Sequence, residues 1–570
     1  MDLQRSLLIG VIAVLAFMLL TEWVAFKDSR DTDIADSGSR LITNGGSVVP
    51  ALPELTEPAA TGSSNEDIPS VPEATDTKTS SDTSVEAADI SGRFVEIHTD
   101  VLQLAIDLQG GDIVELAFPK FLAELDNPDK PLVLLEQNTN RAYIAQSGLI
   151  GQDGIDSKGR ARFTSQSSRY ELADNEDTLV IELLLADEAG ASITKRFTLR
   201  RGDYLIDVDY LVENTSTTRW QANLFGQIKR DNSPPPAADT SGMGMKPFLG
   251  AALTQPDERF TKFSFDDMAE EPFKAQLPGG WIAMIQHYFL SAWIPNAEQA
   301  HTYSTRVTAN GFNIAGFTSP PLSLDPGQSG STGARFYAGP KDQYRLQEIS
   351  PYLELSVDYG WLWWIAQPLF WLLTKIHALV GNWGFAIVLL TVLIKGLFFK
   401  LSATSYRSMA NMRRVQPKMQ DIREQYSDDK QKQSQAMMEL YRKEKINPMG
   451  GCLPILVQMP VFIALYWVLM ESVELRHAPF MLWIDDLSVM DPYFVLPLLM
   501  GASMWFMQKL NPPPPDPMQA KIMQWMPIVF TFFFLWFPAG LVLYWVVNNL
   551  LSMAQQYVIT RQIENAAAKT

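Results

Sequence analysis

The chain has 570 residues, a formal net charge of −18 at pH 7 and a single cysteine, Cys452. The acidic balance excludes nucleic acid as the main partner of the whole molecule, and one cysteine excludes an intrachain disulfide. The sequence contains no metal-ligand cluster, nucleotide-binding glycine motif or recognisable Ser/His/Asp spacing. It therefore predicts neither a cofactor nor an enzyme, and its length leaves room for two or three domains.

The first two predicted segments are a membrane anchor and a tether. Residues 7–23 form an apolar run after Arg5, and residues 20–26 lack a small-x-small cleavage site, so we interpret residues 1–27 as an uncleaved signal-anchor helix. A cleaved signal peptide is the alternative. Residues 31–92 hold twelve acidic residues, two basic residues and no aromatic residue. This composition predicts that residues 28–92 are a disordered acidic linker.

Residues 93–352 change to a period of two. Leu102, Leu104, Ile106 and Leu108 alternate with more polar neighbours before a Gly-Gly turn, and residues 204–212 repeat the alternation. Short strands separated by Gly, Pro, Asn and Asp predict a large antiparallel β-sandwich. Its aromatic residues are expected in the core, and a ligand groove is the alternative.

Two membrane-associated helices are predicted next. The Trp density and interrupted hydrophobicity of residues 353–381 favour an amphipathic helix in the membrane interface. Residues 382–401 are apolar enough for a transmembrane helix, with Lys395 about 18 Å along the helix from Trp383 and therefore in the inner half of the bilayer. A buried lysine there needs water or a partner, whereas a snorkelling lysine reaches the headgroups. Both interpretations stay open.

Residues 402–449 carry ten Lys/Arg against six Asp/Glu. Apolar residues at three- and four-residue steps, interrupted at 427–429, predict a basic helical hairpin. The alternative is a solvated loop whose charges only fix the topology.

Residues 450–561 contain four further apolar segments, at 453–470, 492–507, 522–537 and 541–559, before a short tail at 562–570. Placing the basic hairpin in the cytoplasm puts every later basic loop inside and the acidic loop 471–491 outside. The result is a multi-pass membrane protein with six spans, both termini in the cytoplasm and residues 28–352 on the outer side. The spans at 492–507 and 522–537 are shorter than the ~20 residues that a bilayer requires.

The region after residue 382 also resembles a known family. The motifs that carry the resemblance are 436–441 (AMMELY), 447–452 (NPMGGC), 458–460 (QMP), 464–466 (ALY), 472–476 (SVELR), 516–518 (DPM), 521–523 (KIM) and 535–544 (LWFPAGLVLY). They resemble the YidC/Oxa/Alb family of membrane-protein insertases, and the whole architecture is similar to its Gram-negative bacterial members. This resemblance implies that the membrane is the bacterial inner membrane and that the linker and β-sandwich, residues 28–352, lie in the periplasm. The resemblance is close over about 190 residues and looser in the β-rich region.

The resemblance implies a five-helix core around a hydrophilic groove. Its basic residue would be Lys395, where the family usually has Arg, so the charge is kept but the planar fork that binds carboxylates is lost. Thr391, Gln458 and Asn548 match the polar groove. Phe462, Met500, Tyr544 and Trp545 match the hydrophobic face along which a substrate segment leaves; the family commonly has Tyr at position 545.

The expected function is that of an insertase and membrane chaperone without an energy source, acting alone or with the Sec translocon. Its expected partners are newly made membrane proteins, the Sec translocon with its accessory subunits and the lipid bilayer, with a ribosome or targeting-receptor contact through residues 402–449. A non-catalytic Sec partner is the main alternative. A secondary transporter is disfavoured because no internal repeat is found, and a β domain that binds a sugar or peptide stays open.

Overall fold

The structure is a computed structural model, which describes residues 67–69, 92–186, 190–235, 247–427, 429–444, 453–510 and 517–567. These residues include most of the predicted β-rich region and most of the helical region after it. The predicted signal anchor 1–27 and nearly all of the predicted linker 28–92 lie outside the described residues.

The β-rich region consists of two sheets that share one hydrophobic core. The strands, in chain order, are β1 (Phe94–His98), β2 (Gln103–Asp107), β3 (Asp112–Leu122), β4 (Pro131–Gln137), β5 (Ala142–Ile150), β6 (Phe163–Ser165), β7 (Arg169–Glu171), β8 (Thr178–Leu185), β9 (Ala191–Arg200), β10 (Leu205–Asn214), β11 (Trp220–Arg230), β12 (Gly250–Leu253), β13 (Thr261–Phe263), β14 (Lys274–Pro278), β15 (Ile282–Ile285), β16 (Phe289–Pro295), β17 (Ala300–Val307), β18 (Asn313–Leu324) and β19 (Ser329–Pro340). The first sheet has the order β14-β17-β18-β11-β5-β4-β3-β2-β1-β7, and the second has the order β13-β12-β15-β16-β19-β10-β9-β8-β6.

The predicted alternation places core residues as expected. Ile206, Val208, Tyr210 and Val212 on β10 are all buried, because every second side chain of a strand points to the same face. The prediction of a purely antiparallel sandwich is wrong at one edge, where β1 pairs with β7 in parallel. The chain reaches β7 from β6, which lies in the other sheet, so β7 arrives at that edge by a crossover rather than a hairpin.

Ten helices accompany or follow the sheets within the described residues. They are α1 (Phe265–Glu270), α2 (Gln343–Ile349), α3 (Trp363–Val380), α4 (Trp383–Leu397), α5 (Phe399–Gln425), α6 (Lys430–Lys443), α7 (Leu453–Glu471), α8 (Val495–Leu510), α9 (Pro517–Phe533) and α10 (Ala539–Ala567). Helix α10 contacts α4, α5, α7 and α8, and α3 packs against α4 and α7. The last helix therefore lies at the centre of the helical region.

The helix predicted over 382–401 is not continuous. Helix α4 ends at Leu397, and α5 leaves it at 67° after Phe398. Gly396 stands in the last turn before the bend, a position where helices commonly kink. Lys400 therefore lies beyond the bend, and the predicted straight span is corrected to a bent pair.

Other boundaries also move. The segment predicted at 492–507 forms α8 three residues later, because the Asp491 carboxylate accepts hydrogen bonds from the amides of Tyr493 (3.0 Å) and Leu496 (2.7 Å) and holds the chain in a turn. The tail predicted at 562–570 is not separate, since α10 continues to Ala567. The segment predicted as a helical hairpin contains helices α5 and α6, and Asp429 caps the second by accepting from the amides of Gln431 and Lys432.

Large apolar side chains are exposed over much of the helical surface. On α3 the exposed large apolar residues are Trp363, Trp364, Trp371 and Leu379, while the opposite face is buried against α4 and α7. On the remaining helices the exposed set includes Leu393, Leu397, Met459, Leu498, Phe506, Trp525, Val529, Phe532 and Leu550. An apolar surface of this extent indicates a non-aqueous environment or a partner.

Helix length and hydropathy identify one candidate membrane span among the described residues. Taken singly, none of the described helices is both long and apolar enough to cross a bilayer, but α4 and the start of α5, to Met412, satisfy the criterion together as a bent pair. Leu456–Glu471 and Ala520–Trp536 are shorter apolar helices.

Candidate functional site at the meeting of three helices

Lys395 lies in the last turn of α4 and points into the helical region. Only 5% of the residue is exposed. Its Nζ donates to the Ser552 hydroxyl of α10 at 2.8 Å and lies 3.4 Å from the Gln458 Oε1 of α7. The residue is therefore not a snorkelling lysine in this structure, because its ammonium ends between three helices.

Gln458 and Thr391, two other residues predicted in the groove, lie near Lys395 but make different hydrogen bonds. Gln458 accepts from Lys395, while its own Nε2 is buried with no hydrogen-bond partner among the described residues. Thr391 lies one turn before Lys395 and is buried, but its hydroxyl donates to the Ile387 carbonyl of its own helix at 2.7 Å. Thr391 thus satisfies its hydrogen bond within α4, as buried helical threonines often do.

The polar groups that α10 contributes differ from the prediction, which named the Asn548 side chain. Asn548 takes part through its main-chain carbonyl, which accepts from the Ser552 hydroxyl at 2.7 Å. The neighbouring Asn549 is the buried amide, and it donates to the Ser503 hydroxyl of α8 at 2.9 Å. Sequence reasoning missed Ser552, although its position four residues after Asn548 places it on the same helix face.

An aromatic cluster borders the polar residues. The rings of Phe462 and Tyr544 stack with centroids 6.0 Å apart, and Phe462 meets Trp545 edge to face at 4.6 Å. Trp545 continues to Phe534 at 5.0 Å. Met500, predicted on the same hydrophobic face, is completely buried, and Tyr544 is nearly so. The residues predicted to form the hydrophobic face therefore pack into an aromatic cluster rather than an open surface.

The opposite end of α7 is fixed to the β-sandwich. Glu471 and Lys341 form an ion pair of 2.7 Å whose side chains are 4% and 3% exposed. The His287 ring nitrogen Nε2 lies 2.8 Å from the Met470 carbonyl oxygen, and Arg476 donates to the Leu122 carbonyl at 2.7 Å. The start of the acidic loop 471–491 is thus docked against the β domain.

The site can bind an anion. Within the described residues, Lys395 has no carboxylate within ion-pair distance, so its charge is balanced only by the oxygen dipoles of Ser552 and Gln458. A buried cation without a counter-charge is costly. A ligand carboxylate would relieve that cost, and the Gln458 Nε2 offers it a second donor.

Fold and site together define a class: a β-sandwich domain joined to a helical core with an apolar surface and a buried cation that has no carboxylate partner among the described residues. Comparison with known proteins makes the class specific. Residues 94–372 match the YidC periplasmic domain, and residues 375–566 match the family described as 60Kd inner membrane protein.

Relatives that match the whole chain point to the same family. The membrane protein insertase YidC of Cellvibrio japonicus is 53% identical over 572 residues, and that of Pseudomonas aeruginosa PAO1 is 51% identical over 593 residues, each with 100% of both chains covered. A solved structure described as an active YidC insertase with its first transmembrane domain resolved is 18% identical and covers 82% of this chain and 92% of that chain, with a TM-score of 0.37. The chain belongs to the YidC family of membrane protein insertases.

Proposed function

We propose that this chain inserts newly made membrane proteins into the bacterial inner membrane by capturing acidic residues of a substrate at Lys395. The observation that carries the proposal is the buried Lys395 ammonium, which contacts only uncharged oxygens within the described residues. A substrate tail that must cross the membrane would bring a carboxylate to this position. Electrostatic attraction there exceeds that in bulk water, because the effective dielectric constant of a partly buried site is lower.

Lysine rather than arginine sets the character of this capture. An ammonium is a compact point charge with three donors, whereas a guanidinium holds a carboxylate in a bidentate fork. Two of the Lys395 donors already have partners, Ser552 and Gln458. The third is left for a substrate, with the Gln458 amide beside it.

Release follows from the apolar surroundings. Beside the polar residues stands the aromatic cluster of Phe462, Tyr544 and Trp545, and beyond it the exposed apolar helix surface. A substrate segment that moves from the groove into lipid gains about 25 cal/mol per Å² of apolar surface removed from water. Helices α8 and α9, with 16 and 17 residues, are short for a bilayer and would thin it locally. No nucleotide is needed.

The topology and partners are part of the same proposal. Six spans with both termini in the cytoplasm would place residues 28–352 in the periplasm and the hairpin 402–449 in the cytoplasm. The tryptophan-bearing face of α3 suits the membrane interface. The hairpin would meet a ribosome or targeting receptor, and the Sec translocon with its accessory subunits would share the larger substrates.

The test is insertion of a single-span protein with an acidic external tail into liposomes that contain only this chain. We expect Lys395→Ala to abolish insertion and Lys395→Arg to retain it, because the arginine keeps the charge. Lys400→Ala is the matched control, since Lys400 is an exposed cation beyond the helix bend. Neutralising the substrate tail should reduce wild-type insertion as Lys395→Ala does.

The outcomes separate the alternatives. Equal insertion by all variants would contradict a role for the cation and leave the apolar face as the active element. Failure of the wild type in these liposomes, with activity restored by added Sec translocon, would favour the auxiliary-partner function.

A further inference from the structure

A short piece of the predicted linker lies on the first sheet of the β-sandwich. The Asp67 carboxylate Oδ2 is 2.6 Å from the Lys229 Nζ of β11. The Asp67 main-chain carbonyl accepts from the Gln227 Nε2 at 2.6 Å and from the Arg306 Nη2 of β17 at 3.0 Å. One residue is thus bound through both its side chain and its main chain.

The groups that hold Asp67 are fixed by the sheet. Gln227 is 1% exposed, and its amide is oriented by two further hydrogen bonds, to Gln146 Oε1 at 2.9 Å and from Arg306 at 3.2 Å. The Lys229 Nζ lies 4.2 Å from the centroid of the Phe312 ring, a cation–π contact. Donors that are held in place lose little conformational entropy when a ligand binds.

Strand register explains why these side chains converge. Lys229 and Arg306 both stand opposite Ile314 of β18, one on each side, so the two cations flank one row of the sheet. Gln227 lies two residues before Lys229 and therefore shares its face. Ile228, between them, belongs to the hydrophobic core on the other face.

The geometry indicates the kind of ligand. A lysine and an arginine beside one another favour a carboxylate, and the two donors to a main-chain carbonyl require a peptide that is open enough to expose it. Within the described residues, Asp67 is the carboxylate in ion-pair contact with Lys229. The linker around it is acidic, which complements the cations.

We propose that this face of the first sheet is a binding site for an aspartate within an acidic peptide, and that the linker of the same chain fills it in cis. The linker then has two functions: it connects the first segment of the chain to the β domain, and it is the ligand of that domain. An acidic peptide from another protein binds there only by displacing Asp67.

Thiol labelling in the full-length chain tests this site, because Cys452 is the only cysteine. In a Cys452→Ser background, Ile68→Cys places a thiol beside Asp67, at a residue that is half-buried. Asp67→Asn should speed maleimide labelling of that thiol about tenfold, since it removes a charge-assisted hydrogen bond. Asp82→Asn removes the same charge from the same linker and should leave the rate unchanged.

Two further experiments test the sheet residues that hold Asp67. Lys229→Met should speed labelling as Asp67→Asn does, whereas Lys120→Met, at an exposed lysine on β3, should not. A free peptide with the sequence of residues 62–73 should also speed labelling, and the same peptide with Asp67→Asn should not. An unchanged rate in Asp67→Asn and Lys229→Met overturns the docking of the linker; an unchanged rate with the free peptide overturns recognition in trans.

Discussion

The ion pair between Lys341 and Glu471 connects the β-sandwich to α7, and its removal gives a sharp prediction. Glu471→Gln keeps the size of the side chain but removes its negative charge, so the buried Lys341 ammonium has uncharged oxygens as its described partners, the Ser356 carbonyl at 3.2 Å and the new amide oxygen. Removing one member of a buried pair typically costs about 3–5 kcal/mol. The low exposure of both side chains, 3% and 4%, places this pair in that category.

The matched control is a pair of the same length on the surface. Arg196 and Glu182 are also 2.7 Å apart, but their side chains are 38% and 42% exposed. Exposed pairs contribute about 0–1 kcal/mol, so Glu182→Gln should be nearly silent. The two substitutions are chemically identical, and the pairs differ in their burial and in the cation, which is a lysine in the buried pair and an arginine in the exposed pair.

Native-state hydrogen exchange of the full-length chain in detergent measures the difference. We expect the amides of Ser472, Leu475 and Arg476, which are hydrogen-bonded at the junction, to exchange about 10²- to 10³-fold faster in Glu471→Gln. The double variant Lys341→Met with Glu471→Leu should recover most of the protection, because no charge is left buried. The reasoning is refuted if Glu471→Gln and Glu182→Gln have equal effects at the junction.

Two further predictions concern pH and helix packing. Burial, with the nearby Asp342 carboxylate, raises the pKa of Glu474 to about 7, so the stability that its protonated form provides is complete below about pH 4.5 and lost as the pH rises through 7. The free energy of thermal unfolding of Glu474→Gln should therefore match that of the wild type at pH 4 and exceed it at pH 8 by about 1–2 kcal/mol, a value reduced because Glu474 is half-buried. An equal difference at both pH values would contradict this. Gly501→Ala should destabilise the chain by about 1–3 kcal/mol, because a Cβ on α8 would collide with the Thr531 side chain of α9. Gly396→Ala, with open space around its Cβ, is the control in the same unfolding assay, and similar losses for both would argue against close packing of α8 on α9.

The elements with strong local patterns could be predicted from the sequence. The alternation of β10 and the apolar stripe of the hairpin each report which face is buried, and the buried contacts of Val415, Met419 and Leu440 follow that stripe. The parallel partner of β1 could not be predicted, because strand pairing across a crossover leaves no local signal. The start of α8 depended on the hydrogen bonds of Asp491, which only the folded turn brings together.

The candidate site was predictable in its charges and less so in its hydrogen bonds. Lys395 and Gln458 were recognised from their positions in apolar segments, and the structure brings them to 3.4 Å. Ser552 was missed because a serine in an apolar helix is common and carries no charge to mark it. The choice between Asn548 and Asn549 depended on the rotation of α10, which adjacent residues of a helix, about 100° apart, do not reveal.

The length and central place of α10 have a consequence for what can occupy the groove. Trp545 and Ser552 are seven residues apart on this helix, so they lie on nearly the same face, about 10 Å apart along its axis. Gln458 and Phe462 repeat the arrangement one turn apart on α7. The polar and aromatic parts of the site are therefore held at a fixed spacing on two rigid helices. An extended chain covers about 10 Å in three residues, so under the proposed function a substrate would reach both parts at once when its first large apolar side chain lies three positions from its carboxylate.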